Sequence, residues 1–229
     1  MKIPLPHFLI VLTICAAVFV RADDAPTLAQ VRDKYDKDQV ELNKVFKETL
    51  AGLDKAKAAA LAKKETVWEE FREMRAVGAM GAIGAAKSDS PKLSAEYWQT
   101  MISYTEQRTE FLRVFAGKGV SAGLNGDYTD SLDGDLQLEQ RPEGLFFTFS
   151  VVRGKAAQTG QLTGIAVVKG NTAHFKGEAE DGKKACELNF TFVDGHIVKV
   201  VEVAADPEAG TGVHYDGEYY KKADSVIHD

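Results

Sequence analysis

The 229-residue sequence is short of cysteine, of proline and of clustered positive charge, and each shortage excludes something. Only Cys15 and Cys186 occur, too few for a multi-disulfide framework, and if Cys15 is lost with an export signal the domain has to be stable through its apolar core. Lys and Arg number 28 against 34 Asp and Glu, a formal net charge of -6 at pH 7, with both signs interspersed. That balance argues against nucleic acid as a partner, since binding to phosphate rests on clustered cations. Six Pro and 20 Gly fit turns between elements but not a low-complexity linker protein. Long apolar runs are missing too: Phe8 to Val20 is uncharged, but Pro4 and Pro6 on one side and Arg21 and Asp23 on the other leave it short of the roughly 20 residues of a spanning helix.

What that first segment does fit is export. Met1-Lys2 supplies a positive start, the apolar run follows, and Val20-Arg21-Ala22 offers small residues where a signal peptidase reads. Residues 1–22 are therefore expected to be a signal peptide, with a periplasmic or secreted destination. Cleavage after Ala22 would remove Lys2 and Arg21, leaving 26 basic and 34 acidic residues and Cys186 as the one thiol.

The remainder divides by period. Leu28, Val31, Tyr35, Leu42, Val45, Phe46, Leu50 and Leu53 step by helical intervals, with Thr27 as N-cap and a break at Gly52 and Asp54. A second helix carries Leu61, Val67, Trp68, Phe71 and Met74. The Gly-punctuated stretch Gly78 to Ala86 reads as a frayed helix end or a close-packed turn. A third helix carries Leu93, Tyr97, Met101, Tyr104, Arg108, Phe111, Leu112 and Phe115. Beyond Gly117 short apolar runs alternate with Gly-containing turns, giving eight candidate strands: Asp127 to Thr129, Asp135 to Glu139, Leu145 to Val152, Gln161 to Val168, Thr172 to Glu178, Ala185 to Val193, His196 to Ala204 and Gly217 to Lys221. The expectation is an α+β protein: an N-terminal antiparallel helical hairpin or three-helix domain (23–117), a linker (118–125), an antiparallel β-meander or small β-barrel (126–222) and a polar tail (223–229).

Three stretches of the helical half carry a resemblance: Asp38-Gln39-Val40-Glu41-Leu42-Asn43-Lys44-Val45-Phe46, Leu61 through Trp68-Glu69-Glu70-Phe71-Arg72-Glu73, and Tyr104-Thr105-Glu106-Gln107-Arg108-Thr109-Glu110-Phe111-Leu112. Over roughly residues 30 to 115 the chain resembles the lysozyme-inhibitor LprI-like N-terminal domain family of exported bacterial proteins. Members usually carry an Asp after the Arg and a Cys three residues further on, and often a Gln before the Trp. Here Glu73, Ala76 and Glu65 stand at those places, so the disulfide that tethers the family's helices is absent. The β half is similar only in general form to other bacterial lysozyme inhibitors.

Charges that interrupt apolar stripes mark candidate site residues. Asp38, Arg72 and Arg108 each fall at a helical step among apolar neighbours, and the expectation is a buried structural ion-pair cluster between the helices. Gly-bounded turns at Arg153 to Gly160 and Asp181 to Lys184 carry Arg153, Lys155, Lys183 and Lys184, cations able to answer the carboxylates of a glycosidase cleft. His174, His196 and His214, spaced by 22 and 18, match no metal-ligand signature. Asp127, Asp130, Asp133 and Asp135 look calcium-like but depart from the Asp-x-Asp-x-Asp-Gly pattern and read as turn acids. Cys186 shares a strand face with Leu188 and Phe190, the pattern of a buried, inert thiol. No catalytic residue, metal or cofactor is expected. The resemblance implies an exported inhibitor of lysozyme or of another cell-wall hydrolase. The alternative is a periplasmic β-barrel carrier of a small apolar ligand, and a large void inside the barrel would favour it.

Overall fold

The computed structural model describes residues 25–82, 92, 94–115, 123–153, 157–178 and 185–222. The expected signal peptide and tail, and the turn residues Lys155, Lys183 and Lys184, lie outside the described residues. Among the described residues three helices, α1 (Leu28–Ala51), α2 (Lys55–Ala82) and α3 (Ala95–Phe115), precede eight strands.

Helix α1 opens on a capping box. Thr27 accepts from the Gln30 amide (3.3 Å), and the Gln30 side chain accepts from the Thr27 amide (2.8 Å), so two of the orphan donors at the helix start are satisfied locally. Helix α2 continues through Gly78 to Ala82 instead of stopping at the first glycine. Its apolar stripe is reason enough, because packing outweighs the roughly 1 kcal/mol propensity deficit of one glycine. A Cβ on exposed Gly78 would meet nothing within 4 Å. Gly78→Ala is therefore expected to stabilise the protein by about 0.5–1 kcal/mol, read as a higher denaturant midpoint at unchanged slope.

Helix α3 is the centre of the helical part and packs along both α1 and α2. Buried Leu61, Glu65, Trp68, Arg72 and Ala76 form one stripe of α2, and Tyr97, Met101, Thr105, Arg108 and Leu112 a stripe of α3. Ala76 is fully buried against Tyr97 and Met101.

The strands are β1 (Gly126–Thr129), β2 (Gly134–Arg141), β3 (Gly144–Arg153), β4 (Gln158–Lys169), β5 (Thr172–Lys176), β6 (Glu187–Val193), β7 (Ile197–Ala204) and β8 (Gly217–Lys221). Each pairs antiparallel with its sequence neighbours, and β8 returns to β1 through Tyr128↔Lys221 and Thr129↔Tyr220, closing an eight-stranded up-and-down barrel. Closure removes the exposed edges that an open meander would leave. The helices lie against the outside of this barrel: Phe111 and Phe115 pack on Tyr220 of β8 at ring distances of 5.1 and 4.7 Å, and Ile197 and Leu132 join the same apolar cluster. Helices and barrel thus share a core.

Candidate functional site

The β1–β2 turn joins the two parts. Asp130 accepts the amides of Leu132 and Gly134 at 2.8 Å each, folding the turn back on its own side chain. Ser131 and Asp133 take left-handed conformations (φ 61° and 59°) that non-glycine residues adopt at some cost. Those conformations aim successive side chains at different partners. Asp130 reaches Arg153 (2.7 Å), Ser131 accepts from Arg108 of α3 (2.6 Å), and Asp133 meets Arg75 of α2 (2.6 Å) and Tyr104 of α3 (2.8 Å). Asp135 pairs with Lys222 (2.6 Å). Three of the four calcium-like acids are thus answered by cations of the protein itself, and among the described residues no group suited to hold a metal is found.

Arg153 departs from the expectation of an exposed contact loop. It is the last residue of β3, it is buried, and alternation from Leu145, Phe147, Phe149 and Val151 turns it into the barrel. Its Nη2 donates to Asp130 and to the Tyr219 hydroxyl (3.2 Å), its Nη1 to the Leu132 carbonyl (2.9 Å) and its Nε to the His214 carbonyl (3.2 Å). A guanidinium so occupied plugs one end of the barrel, binding the β1–β2 turn, β8 and the segment before it. Gly134 leaves room for it: a Cβ there would stand 2.7 Å from Nη2.

The expected Asp38, Arg72 and Arg108 cluster does not assemble. Arg108, only 2% exposed, pairs with Glu65 through Nε (3.0 Å) and Nη2 (2.8 Å). Among the described residues Arg72 meets no carboxylate. It donates from Nη1 to Gln39 and Thr105, both 2.8 Å, lies 4.5 Å from the Trp68 ring, and leaves its buried Nε without a partner among the described residues. Trp68 is flanked by both guanidiniums, with Arg108 at 5.4 Å. Asp38 sits at the rim and accepts from Lys34 one turn back at 2.8 Å. The reason is reach: an exposed Lys at i-4 satisfies the carboxylate without desolvating it. Asp38→Ala is accordingly expected to cost less than about 1 kcal/mol, the range of a solvent-exposed pair, measured by denaturant unfolding.

The barrel interior is filled. Phe147, Phe149, Phe190, Leu188, Tyr215 and Tyr219 occupy it, with Phe147 lying 4.9 Å from the half-buried Phe175 and Phe149 5.2 Å from Tyr215. The wall thins where rings need space: a Cβ on Gly164 would collide with Phe175 and Phe147, and one on Gly160 with Val213. Cys186 is a buried free thiol in this core, and burial, helped by the carboxylates of Asp206 and Glu202, pushes its pKa up to about 12. Outside, Val167, His174, Asn189 and Val201 form one register row across β4 to β7, and Val167 and Val201 are 70% and 57% exposed.

A groove of about 430 Å³ opens between α2, α3 and the plugged end of the barrel. Trp68, Phe71, Phe111, Leu132 and Tyr220 give it apolar walls, and Lys63, Lys64, Arg108 and Arg153 line it alongside Asp130, Asp216 and Glu218. Lys64 holds Glu218 (2.5 Å), which Lys199 also reaches (2.9 Å). Burial works to raise the Glu218 pKa, but hydrogen bonds from Lys64, Lys199 and Tyr220 outweigh it and hold the carboxyl at about 2. Sequence reasoning missed Glu65, Glu218 and Asp130 as the partners in these networks. It also passed over Gly119-Val120-Ser121-Ala122-Gly123, a Gly-x-Ser-x-Gly spacing. A nucleophile elbow needs a strand before that spacing and a helix after it, whereas here α3 precedes and β1 follows. Ser121 itself lies outside the described residues.

No family model, no curated protein and no solved structure matches the chain.

Proposed function

We propose that the protein is an exported, non-enzymatic binding protein that engages a lysozyme or another cell-wall hydrolase. The observation that carries this reading is the packed barrel. Aromatic rings occupy the interior where a carrier would need a cavity, while valines of β4 and β7 are spent on the solvent face of one wall. With the interior filled, a contact has to be made on the outer surface, which favours a macromolecular partner over a small ligand held inside. The resemblance of the helical part to exported lysozyme inhibitors points the same way, and inhibition needs only a surface that blocks a cleft. Net negative charge steers the chain toward cationic animal-type lysozymes, raising association rate more than affinity.

The test is clearance of a peptidoglycan suspension by several lysozyme types with the protein in excess at low ionic strength. Slowed clearance is expected, and Val167→Asp with Val201→Asp should relieve it while the protein stays folded. No slowing for any lysozyme, together with no binding at low salt, would end the proposal. Export is checked separately by the intact mass of the protein outside the cytoplasm, which should begin at Asp23.

A further inference from the structure

The groove between α2 and the barrel has a composition that the hydrolase reading does not use. Its volume of about 430 Å³ lies in the range of small-ligand sites, and most of its wall is ring or aliphatic surface. The cations on it fall into two sets. Arg153 and Arg108 are buried and already held by Asp130 and Glu65, so they serve as wall. Lys63 and Lys64 are exposed on α2 at the rim, and Lys63 has no hydrogen-bond or ion-pair partner among the described residues. Lys64 shares Glu218 with Lys199, so that carboxylate is matched by two ammonium groups. Asp216 also lines the groove, so its lip carries Lys63, Lys64 and Lys199 against Glu218 and Asp216, one positive charge in excess in a chain of net charge -6.

We propose that this groove binds a single-chain anionic amphiphile. The apolar tail lies between Phe71, Phe111, Leu132 and Tyr220, and the carboxylate or phosphate headgroup rests against Lys63 and Lys64. An apolar tail alone would gain from burial but leave Lys63 unanswered, and a hydrophilic anion would leave the rings wet. Only a molecule with both ends meets both features. The two ends also explain the orientation, because the lysines stand at the solvent rim and the rings deeper in.

Titration calorimetry of the purified protein with decanoate below its micellar concentration tests this. One-to-one saturable binding is expected, with decanol weaker by about tenfold, the order of one charge-assisted contact. Lys63→Glu should weaken decanoate by about tenfold or more and leave decanol unchanged, consistent with removal of that contact. Val67→Trp, which fills the groove from a position 50% exposed, should abolish binding of both. Both substitutions lie on solvent-facing positions of α2, and an unchanged unfolding midpoint verifies the fold. Absence of saturable decanoate binding, equal affinity for decanol, or full binding by Lys63→Glu would each overturn the proposal. So would association with phosphatidylglycerol vesicles without binding of monomeric decanoate, since the lysines would then be reading a membrane surface. None of these outcomes depends on a hydrolase partner, so this site and the inhibitor reading stand or fall separately.

Discussion

Replacing Arg153 with methionine is expected to lower stability by about 3–5 kcal/mol, the cost of leaving one member of a buried ion pair without the other. The side chain is 7% exposed and fills the end of the barrel with hydrogen bonds to Asp130, Tyr219 and two carbonyls. Methionine keeps much of the aliphatic volume, so the loss reports on charge and hydrogen bonding more than on a cavity. Asp130 would retain its two backbone donors but lose its cation in a place water reaches poorly. At about 2–4 °C of melting temperature per kcal/mol for a protein this size, the shift should approach or exceed 10 °C. The double variant Arg153→Met with Asp130→Asn separates charge from shape. Asparagine still accepts from Leu132 and Gly134 but has no charge to strand, so part of the loss should return. A single variant with an unaltered midpoint, or a double variant worse than the sum of its parts, would contradict this account.

Much of the architecture was legible from local pattern, and the failures have physical reasons. Strand after strand was readable because one face is buried and the other wet, as in Leu188, Phe190 and Phe192 against Glu187, Asn189 and Thr191 of β6. A small barrel was one of the two forms expected, but the choice between it and an open meander was not legible, since the pairing of β1 with β8 links residues about 90 positions apart and depends on accumulated twist and stagger, not on any one strand. Arg153 was readable in principle. Alternation from Leu145 points it inward, but an arginine next to Gly154 reads as a turn unless a buried acid is known to await it. Glu65 is similar: it lies four residues after Leu61 and three before Trp68, on the buried stripe, and the partner of Arg108 could have been sought there. Asp38 misled because its place beside Tyr35 and Leu42 is the edge of a stripe, not its centre. The groove could not be read at all, because its walls come from α2, α3, the β1–β2 turn and β8 and exist only once the helices lie on the barrel.

The Glu65 and Arg108 pair supplies the other large effect, and its comparison with Arg72 makes the test sharp. Glu65→Ala should cost on the order of 3 kcal/mol, because it leaves a guanidinium that is 2% exposed with, among the described residues, Ser131 and the faces of Trp68 and Phe111 for company. Arg72→Met should cost distinctly less. Arg72 has no carboxylate to strand, and its departure relieves an unpartnered buried nitrogen. Its acceptors keep other partners as well: Thr105 still donates to the Met101 carbonyl at 2.7 Å, and Gln39 still accepts from Tyr35 at 3.1 Å. Denaturant unfolding of both variants under one condition reads the difference, and added salt should change it little because the Glu65 pair is shielded from solvent. Equal losses, or a greater loss for Arg72→Met, would mean that the Trp68 stack and not the carboxylate is what holds α2 to α3. In that event Trp68→Leu should outweigh both.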